Sequence, residues 1–223
     1  MILSNVPSRF NYDLIHRAIE DWISEKGSYG KTLLKASPEP PYYPLATLPK
    51  ELIEEVEGKI QEALSGNTED IPKSKEFFHL FALSGVAQFA RRACDLWNQA
   101  ENSLTTQDLH YSFCPVCGER QLISALIPPV GKRHVHCPTC GAHWSTQRID
   151  CIRCGDQEPK NHIYLQSDQY PGVEIVFCHS CGEYFKEFDL RERDIQDFLW
   201  EDIRTLPLNF AVENKLSTSN HLK

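Results

Sequence analysis

The sequence predicts an α+β protein: a helical N-terminal part, two tandem small β units each organised by four cysteines, and a C-terminal helix. Three observations carry this. Before about residue 110, apolar residues recur at helical spacing. From 111 onward the pattern changes to short β-type runs between Gly and Pro turns. Eight of the nine cysteines fall in that second stretch, as four Cys-x-x-Cys pairs. The boundaries that follow are 1–110 for the helical domain, 111–145 and 146–188 for the two four-cysteine units, and 189–223 for a C-terminal helix and tail.

Leu14, Ile15, Ala18, Ile19, Trp22 and Ile23 form one apolar stripe at the helical period, with Gly27 and Gly30 as stops. Ser37 to Pro49 holds five prolines, Pro38, Pro40, Pro41, Pro44 and Pro49. Each fixes φ and removes a donor, so this reads as a rigid, extended connector. Leu52, Ile53, Val56, Ile60, Ala63 and Leu64 make a second stripe, opened by Pro49 and closed by Gly66-Asn67. A third helix is expected from about Lys73 to Ala100. It carries Phe77, Phe78, Leu80, Phe81, Val86, Phe89, Leu96 and Trp97, which read as core rather than as a cofactor box. Beyond 111, strands are expected at Leu122–Ile127, His162–Leu165 and Val173–Phe177. Helix returns at Asp194–Leu206, and the chain after about Asn214 is polar and frayed.

Composition removes several function classes. With 223 residues, 41% hydrophobic and 24% charged, the chain is neither collagen-like nor wholly disordered. The apolar run Phe77–Ala90 is interrupted by His79, Ser84 and Gln88, and is shorter than the roughly 20 residues a bilayer requires. No secretory signal is visible at Met1–Phe10. The expectation is therefore a cytoplasmic protein without membrane insertion, whose thiols stay reduced. The formal charge is −8, divided as −5 over 1–110, −1 over 111–188 and −2 over 189–223. No basic stripe accompanies the cysteines, which argues against a nucleic-acid partner.

The cysteines carry the chemistry. The pairs are Cys114/Cys117, Cys137/Cys140, Cys151/Cys154 and Cys178/Cys181, spaced Cys-x2-Cys-x19-Cys-x2-Cys and Cys-x2-Cys-x23-Cys-x2-Cys. Four thiolates in a tetrahedron suit zinc or a single iron. A glycine follows every pair, at 118, 141, 155 and 182, where positive φ lets backbone N–H groups turn toward the sulfurs. The intervening 19 or 23 residues leave room for a β-hairpin, the arrangement of a zinc ribbon or rubredoxin-like unit. Two tetrathiolate metal ions, iron or zinc, are the expected cofactors. Sequential pairing is the default, and interleaved pairing stays open on spacing alone. Closely spaced cysteine triplets are absent, which disfavours iron–sulfur clusters.

Other candidates read as structural. Cys94 falls in the third helix as a small buried hydrophobe. His134, His136, His143 and His179 lie near the thiols, but four sulfurs per site leave no need for them. Asp194, Asp197, Glu201 and Asp202 read as a solvated helix face. No Ser/His/Asp arrangement, paired-carboxylate site or phosphate loop is present, so no enzyme is expected and there are no catalytic candidates.

The residues around the cysteines carry a resemblance. Cys114-Pro115-Val116-Cys117-Gly118 is followed by His136-Cys137-Pro138-Thr139-Cys140, with Trp144 four residues on and Arg148 four further. Then come Cys151-Ile152-Arg153-Cys154-Gly155, His162-Ile163-Tyr164, Val173-Glu174, the run from Cys178 through Tyr184 to Lys186, and Glu201 to Asn209. Over about residues 112–210 this resembles the formate dehydrogenase accessory protein FdhE family. The chain is shorter than most members in its helical part, and Pro207 and Asn209 stand where the C-terminal helix would continue. The resemblance implies a cytoplasmic assembly factor that binds iron and contacts the catalytic subunit of a formate dehydrogenase. It implies the eight paired cysteines as metal ligands. It adds Trp144, Arg148, Tyr184 and Lys186 as motif residues whose role the motif does not define, with Trp144 expected to pack against a metal turn. A homodimer stays open. The alternatives are a small iron redox protein and, further off, a nucleic-acid-binding double zinc ribbon.

Overall fold

The structure is a computed structural model that describes residues 8–27, 30–66, 75–95, 97 and 112–220. Helix α1 spans Arg9–Lys26, α2 Gly30–Leu33, α3 Lys50–Leu64 and α4 Lys75–Ala93. Ser8 caps α1 by accepting from the Asn11 N–H, and Gly27 ends it at φ +49°. The stripe of α1 faces inward: Ile15, Ile19, Trp22 and Ile23 are buried. So are Leu52, Ile53, Val56, Ile60 and Leu64 of α3, which follows directly on Pro49. Side chains of this size each contribute about 1.5–3 kcal/mol when withdrawn from water. Gly85 of α4 lets that helix approach closely, since a Cβ there would stand 3.2 Å from Ile19 and Val56.

The third expected helix is interrupted at Cys94, after which Asp95 and Trp97 are again helical. It is described from Lys75 to Ala93, and Cys94 lies just beyond it, buried. Leu80, expected in the core, is 55% exposed. Trp97 is buried, while Lys73, the Leu96 side chain and residues 98–100 lie outside the described residues.

Six strands follow: β1 Ile123–Ile127, β2 Lys132–His136, β3 His143–Ser145, β4 His162–Gln166, β5 Val173–Cys178 and β6 Tyr184–Asp189. The three expected strands correspond to β1, β4 and β5; the other three had no sequence expectation. Each four-cysteine unit is a three-stranded antiparallel meander, β1-β2-β3 and β4-β5-β6. The meanders fuse through a parallel pairing of β1 with β6, which places Ser124 opposite Glu187 and Leu126 opposite Asp189. The result is one sheet of order β3-β2-β1-β6-β5-β4.

The junction is sealed by charge. Arg133 of β2, 2% exposed, donates to Glu187 of β6 at 2.7 Å and to the Asp150 carbonyl at 2.6 Å. Ser124 donates to the same Glu187 oxygen at 2.5 Å. The guanidinium also lies over the Phe185 ring, 5.5 Å from its centre. A buried ion pair of this kind holds only when its remaining polar atoms are satisfied.

The C-terminal expectation is also corrected. Helix α5 runs Phe198–Arg204, capped by the Asp197 carboxylate on the Trp200 N–H, and Asp194 to Asp197 precede it. Helix α6 then runs Leu206–Asn220, through the stretch expected to fray. Pro207 sits in the first turn of α6, where its missing N–H costs nothing, so it opens a helix rather than ending one. One hydrophobic cluster runs from α1, α3 and α4 through both groups of cysteines to Trp200 and Ile203 of α5. Among the described residues, no helix is long and apolar enough to cross a membrane.

Candidate metal centres

The four Cys-x-x-Cys turns share one local design. In each, the glycine N–H donates to the carbonyl of the first cysteine: Gly118 to Cys114, Gly141 to Cys137, Gly155 to Cys151 and Gly182 to Cys178, all at 2.8–2.9 Å. The first cysteine's own N–H is held by the residue after the glycine, as in Cys114 to Glu119 and Cys178 to Glu183. The four glycines have φ of +74° to +79°, a region disfavoured for residues with a Cβ. Glycine therefore closes the turn. The N–H groups that reach sulfur belong to residues within it, such as Arg153 to Cys151 at 3.4 Å and Cys140 to Cys137 at 3.5 Å.

Closed in this way, the turns meet in two groups. Sγ atoms of Cys114, Cys117, Cys137 and Cys140 lie within 4.8 Å of one another, as do those of Cys151, Cys154, Cys178 and Cys181. The chain therefore pairs its turns sequentially, not interleaved. The closest sulfurs are 3.5 Å (Cys114–Cys140) and 3.6 Å (Cys117–Cys137) apart in the first group. In the second they are 3.8 Å apart, Cys151–Cys181 and Cys154–Cys178. A tetrahedron with metal–sulfur bonds of about 2.3 Å has edges of about 3.8 Å. These spacings are far from a disulfide and fit a single ion at the centre of each group.

Electrostatics agree with that fit. Burial pushes the thiols of Cys137 and Cys140 well up, and neighbouring sulfurs add to the rise. Burial would raise Cys114 too, but its three partner sulfurs outweigh it and hold that thiol well below its usual value. In the second group burial raises Cys151 and brings Cys181 up to about 11. Cys178 is lowered, because N–H donors at Cys181 and Ser180 outweigh its burial. Cys114 and Cys178 are thus favoured as thiolates, while Cys137, Cys140, Cys151 and Cys181 resist charge. A central cation relieves that conflict, with release of the remaining protons.

The groups sit in different surroundings. The first is built into the helical core. The proline-rich connector bends and docks on it: N–H groups of Tyr42, Tyr43 and Leu45 donate to the carbonyls of Pro115, Val116 and Cys117. From α4, Ser84 donates to the Thr139 carbonyl at 2.7 Å and Arg91 to the Cys140 carbonyl at 2.8 Å. The second group is at the surface. Ser180 and Asn161 bond Asp156 across it, the His179 N–H donates to the Asn161 carbonyl, and Cys154 is exposed.

The motif residues take structural positions. Trp144 on β3 packs edge-on against Trp97, ring centres 5.7 Å apart. Arg148 donates to the carbonyls of Val130 and Gly131, closing the β1–β2 hairpin. Lys186 is buried and donates to Asp202 and Thr205 at the end of α5. Burial lowers its pKa, while Asp202 partly restores it. The Tyr184 hydroxyl donates to Glu213 and accepts from Asn209, both on α6. Lys186 and Tyr184 thus fasten the C-terminal helices to β6. Of the acidic group, Asp194 is exposed, but the other three do not form a solvated face: Asp197 caps α5, Asp202 holds Lys186, and Glu201 pairs with Arg193 and Arg204.

Among the described residues, the histidines stay outside both sulfur groups. His134, His136 and His143 form a stack on β2 and β3, and His136 lies on the Phe198 ring at 3.9 Å. Burial, reinforced by its two histidine neighbours, lowers His136 to about 3. That association was not legible as a site, and it supplies packing between the sheet and α5.

No family model matches the chain. Curated relatives do. A Protein FdhE homolog of Shewanella oneidensis is 28% identical over 106 residues, 47% of this chain and 35% of that protein. The homolog of Serratia proteamaculans is 34% identical over 109 residues, 48% of this chain and 35% of that protein. Protein FdhE of Escherichia coli is 26% identical over 106 residues, 46% of this chain and 34% of that protein. The chain spans about a third of the length of the curated relatives it matches. Among solved structures, the FdhE protein from Pseudomonas aeruginosa superposes with a TM-score of 0.48 at 20% identity, covering 96% of this chain and 80% of that one.

Proposed function

We propose that this chain, which belongs to the FdhE family, is a cytoplasmic metal-binding accessory protein that binds the catalytic subunit of a formate dehydrogenase and assists its assembly. The observation that carries the reading is the pair of four-sulfur groups with tetrahedral spacing, embedded in the family's motif residues. Cys114, Cys117, Cys137 and Cys140 would hold one ion, and Cys151, Cys154, Cys178 and Cys181 the other. When bound, either ion cross-links two turns, and iron would add a one-electron couple. The role is non-catalytic: the motif residues Trp144, Arg148, Tyr184 and Lys186 are committed to packing and to holding the C-terminal helices.

The test is recovery of partners from cells that make a formate dehydrogenase. The catalytic subunit should co-purify with the tagged chain under anaerobic conditions. Deletion should abolish dehydrogenase activity while its transcript persists. Unchanged activity after deletion would end the proposal. A coloured protein that bleaches reversibly and recovers no partner would favour the small redox protein instead.

A further inference from the structure

The two four-sulfur groups differ in access more than their shared turn geometry requires. Cys114, Cys117, Cys137 and Cys140 are each 0–1% exposed. Their turns are clamped from outside the unit, by the connector at Pro115, Val116 and Cys117 and by Ser84 and Arg91 of α4 at Thr139 and Cys140. An incoming ligand reaches these sulfurs only if the helices part from the sheet. In the second group, Cys154 is exposed and Cys181 is half-buried, while Cys151 and Cys178 are buried beneath them. The polar contacts over its turns, Asp156 with Ser180 and Asn161, are made within the same unit; those to Ser180 are exposed and that between Asn161 and Asp156 is half-buried.

We infer that the two sites divide the work: the first keeps its ion as part of the core, and the second is an exchange site that gives up or takes an ion through Cys154 and Cys181. The inference rests on the reading that both groups bind metal. Ligand exchange at a tetrathiolate needs the incoming donor to approach while one sulfur leaves. Cys154 is the sulfur that can do so without opening the core. An incoming thiol forms its bond to the ion as the Cys154 bond breaks, and its proton passes to the departing Cys154 sulfur, so no electrons are transferred. Opening of the first site costs a separation of packed elements. Opening of the second is a local event, and local openings are far more frequent than core ones. The external ligand is thus a thiolate or similar soft donor on another molecule.

The experiment uses the full wild-type chain loaded with zinc and challenged anaerobically with EDTA, while N-ethylmaleimide labelling of each cysteine is followed by mass spectrometry. The expected release has two phases of one equivalent each, separated by about tenfold or more in rate. Labelling of Cys151, Cys154, Cys178 and Cys181 should track the fast phase, with Cys114, Cys117, Cys137 and Cys140 protected until the slow one. Two equivalents leaving in one phase, or labelling that begins in the first group, overturns the inference while leaving metal binding intact. A chain that holds no zinc at all overturns both readings.

Discussion

Changing Cys137 to serine is expected to unfold the joint between the helices and the first β unit. Binding of a structural ion is worth on the order of 10 kcal/mol in small metal domains, comparable to the whole stability of a typical domain, about 5–15 kcal/mol. Cys137 is buried in the same cluster as Trp22, Trp97 and Trp144. Loss of its sulfur leaves Cys114, Cys117 and Cys140 buried with an incomplete ligand set, and it frees the turn on which Ser84 and Arg91 rest. The expected result is one metal ion fewer per chain, a large fall in melting temperature and loss of the buried-tryptophan fluorescence signature. Cys181→Ser, in the half-exposed group, should also lose one ion but leave that signature and the helical circular dichroism nearly intact. Native melting and full metal content in Cys137→Ser would show that the first group is not part of the core.

Arg133→Ala is the second large effect. It removes the cation that joins β2 of the first meander to β6 of the second and leaves Glu187 buried beside Ser124. Breaking a buried pair from one side costs about 3–5 kcal/mol, most of it the penalty of the stranded charge. Urea unfolding should show that loss. Adding Glu187→Gln to Arg133→Ala should recover part of it, since the stranded charge is then gone. A cost under about 1 kcal/mol, or no recovery in the double variant, would mean that the parallel β1–β6 pairing holds without this network.

These two sites mark the limits of what could be read from the chain beforehand. Local patterns were legible. The stripes on α1 and α3 are buried as their spacing predicts. The eight paired cysteines converge because each turn is a short-range device, closed by its own glycine. What escaped was non-local. Arg133, Lys186 and Glu187 are charged residues that would ordinarily face water, yet all three are buried, because their partners arrive from other elements. Their presence in β2 and β6 hid both strands from an apolar reading, and with them the fusion of the two meanders into one sheet. The proline-rich stretch read as a spacer. Three of its N–H groups, on Tyr42, Tyr43 and Leu45, instead dock it on the first cysteine turn. Pro207 read as a helix stop because its first-turn position depends on the break at Thr205.

The central claim is that both sulfur groups bind metal. It is tested most directly by counting ions and reactive thiols on the same anaerobically purified sample. Two ions of iron or zinc per chain, with the eight paired cysteines protected from a thiol reagent until the ions are removed, is the predicted result. A folded chain with no bound metal and eight freely reacting thiols would contradict it.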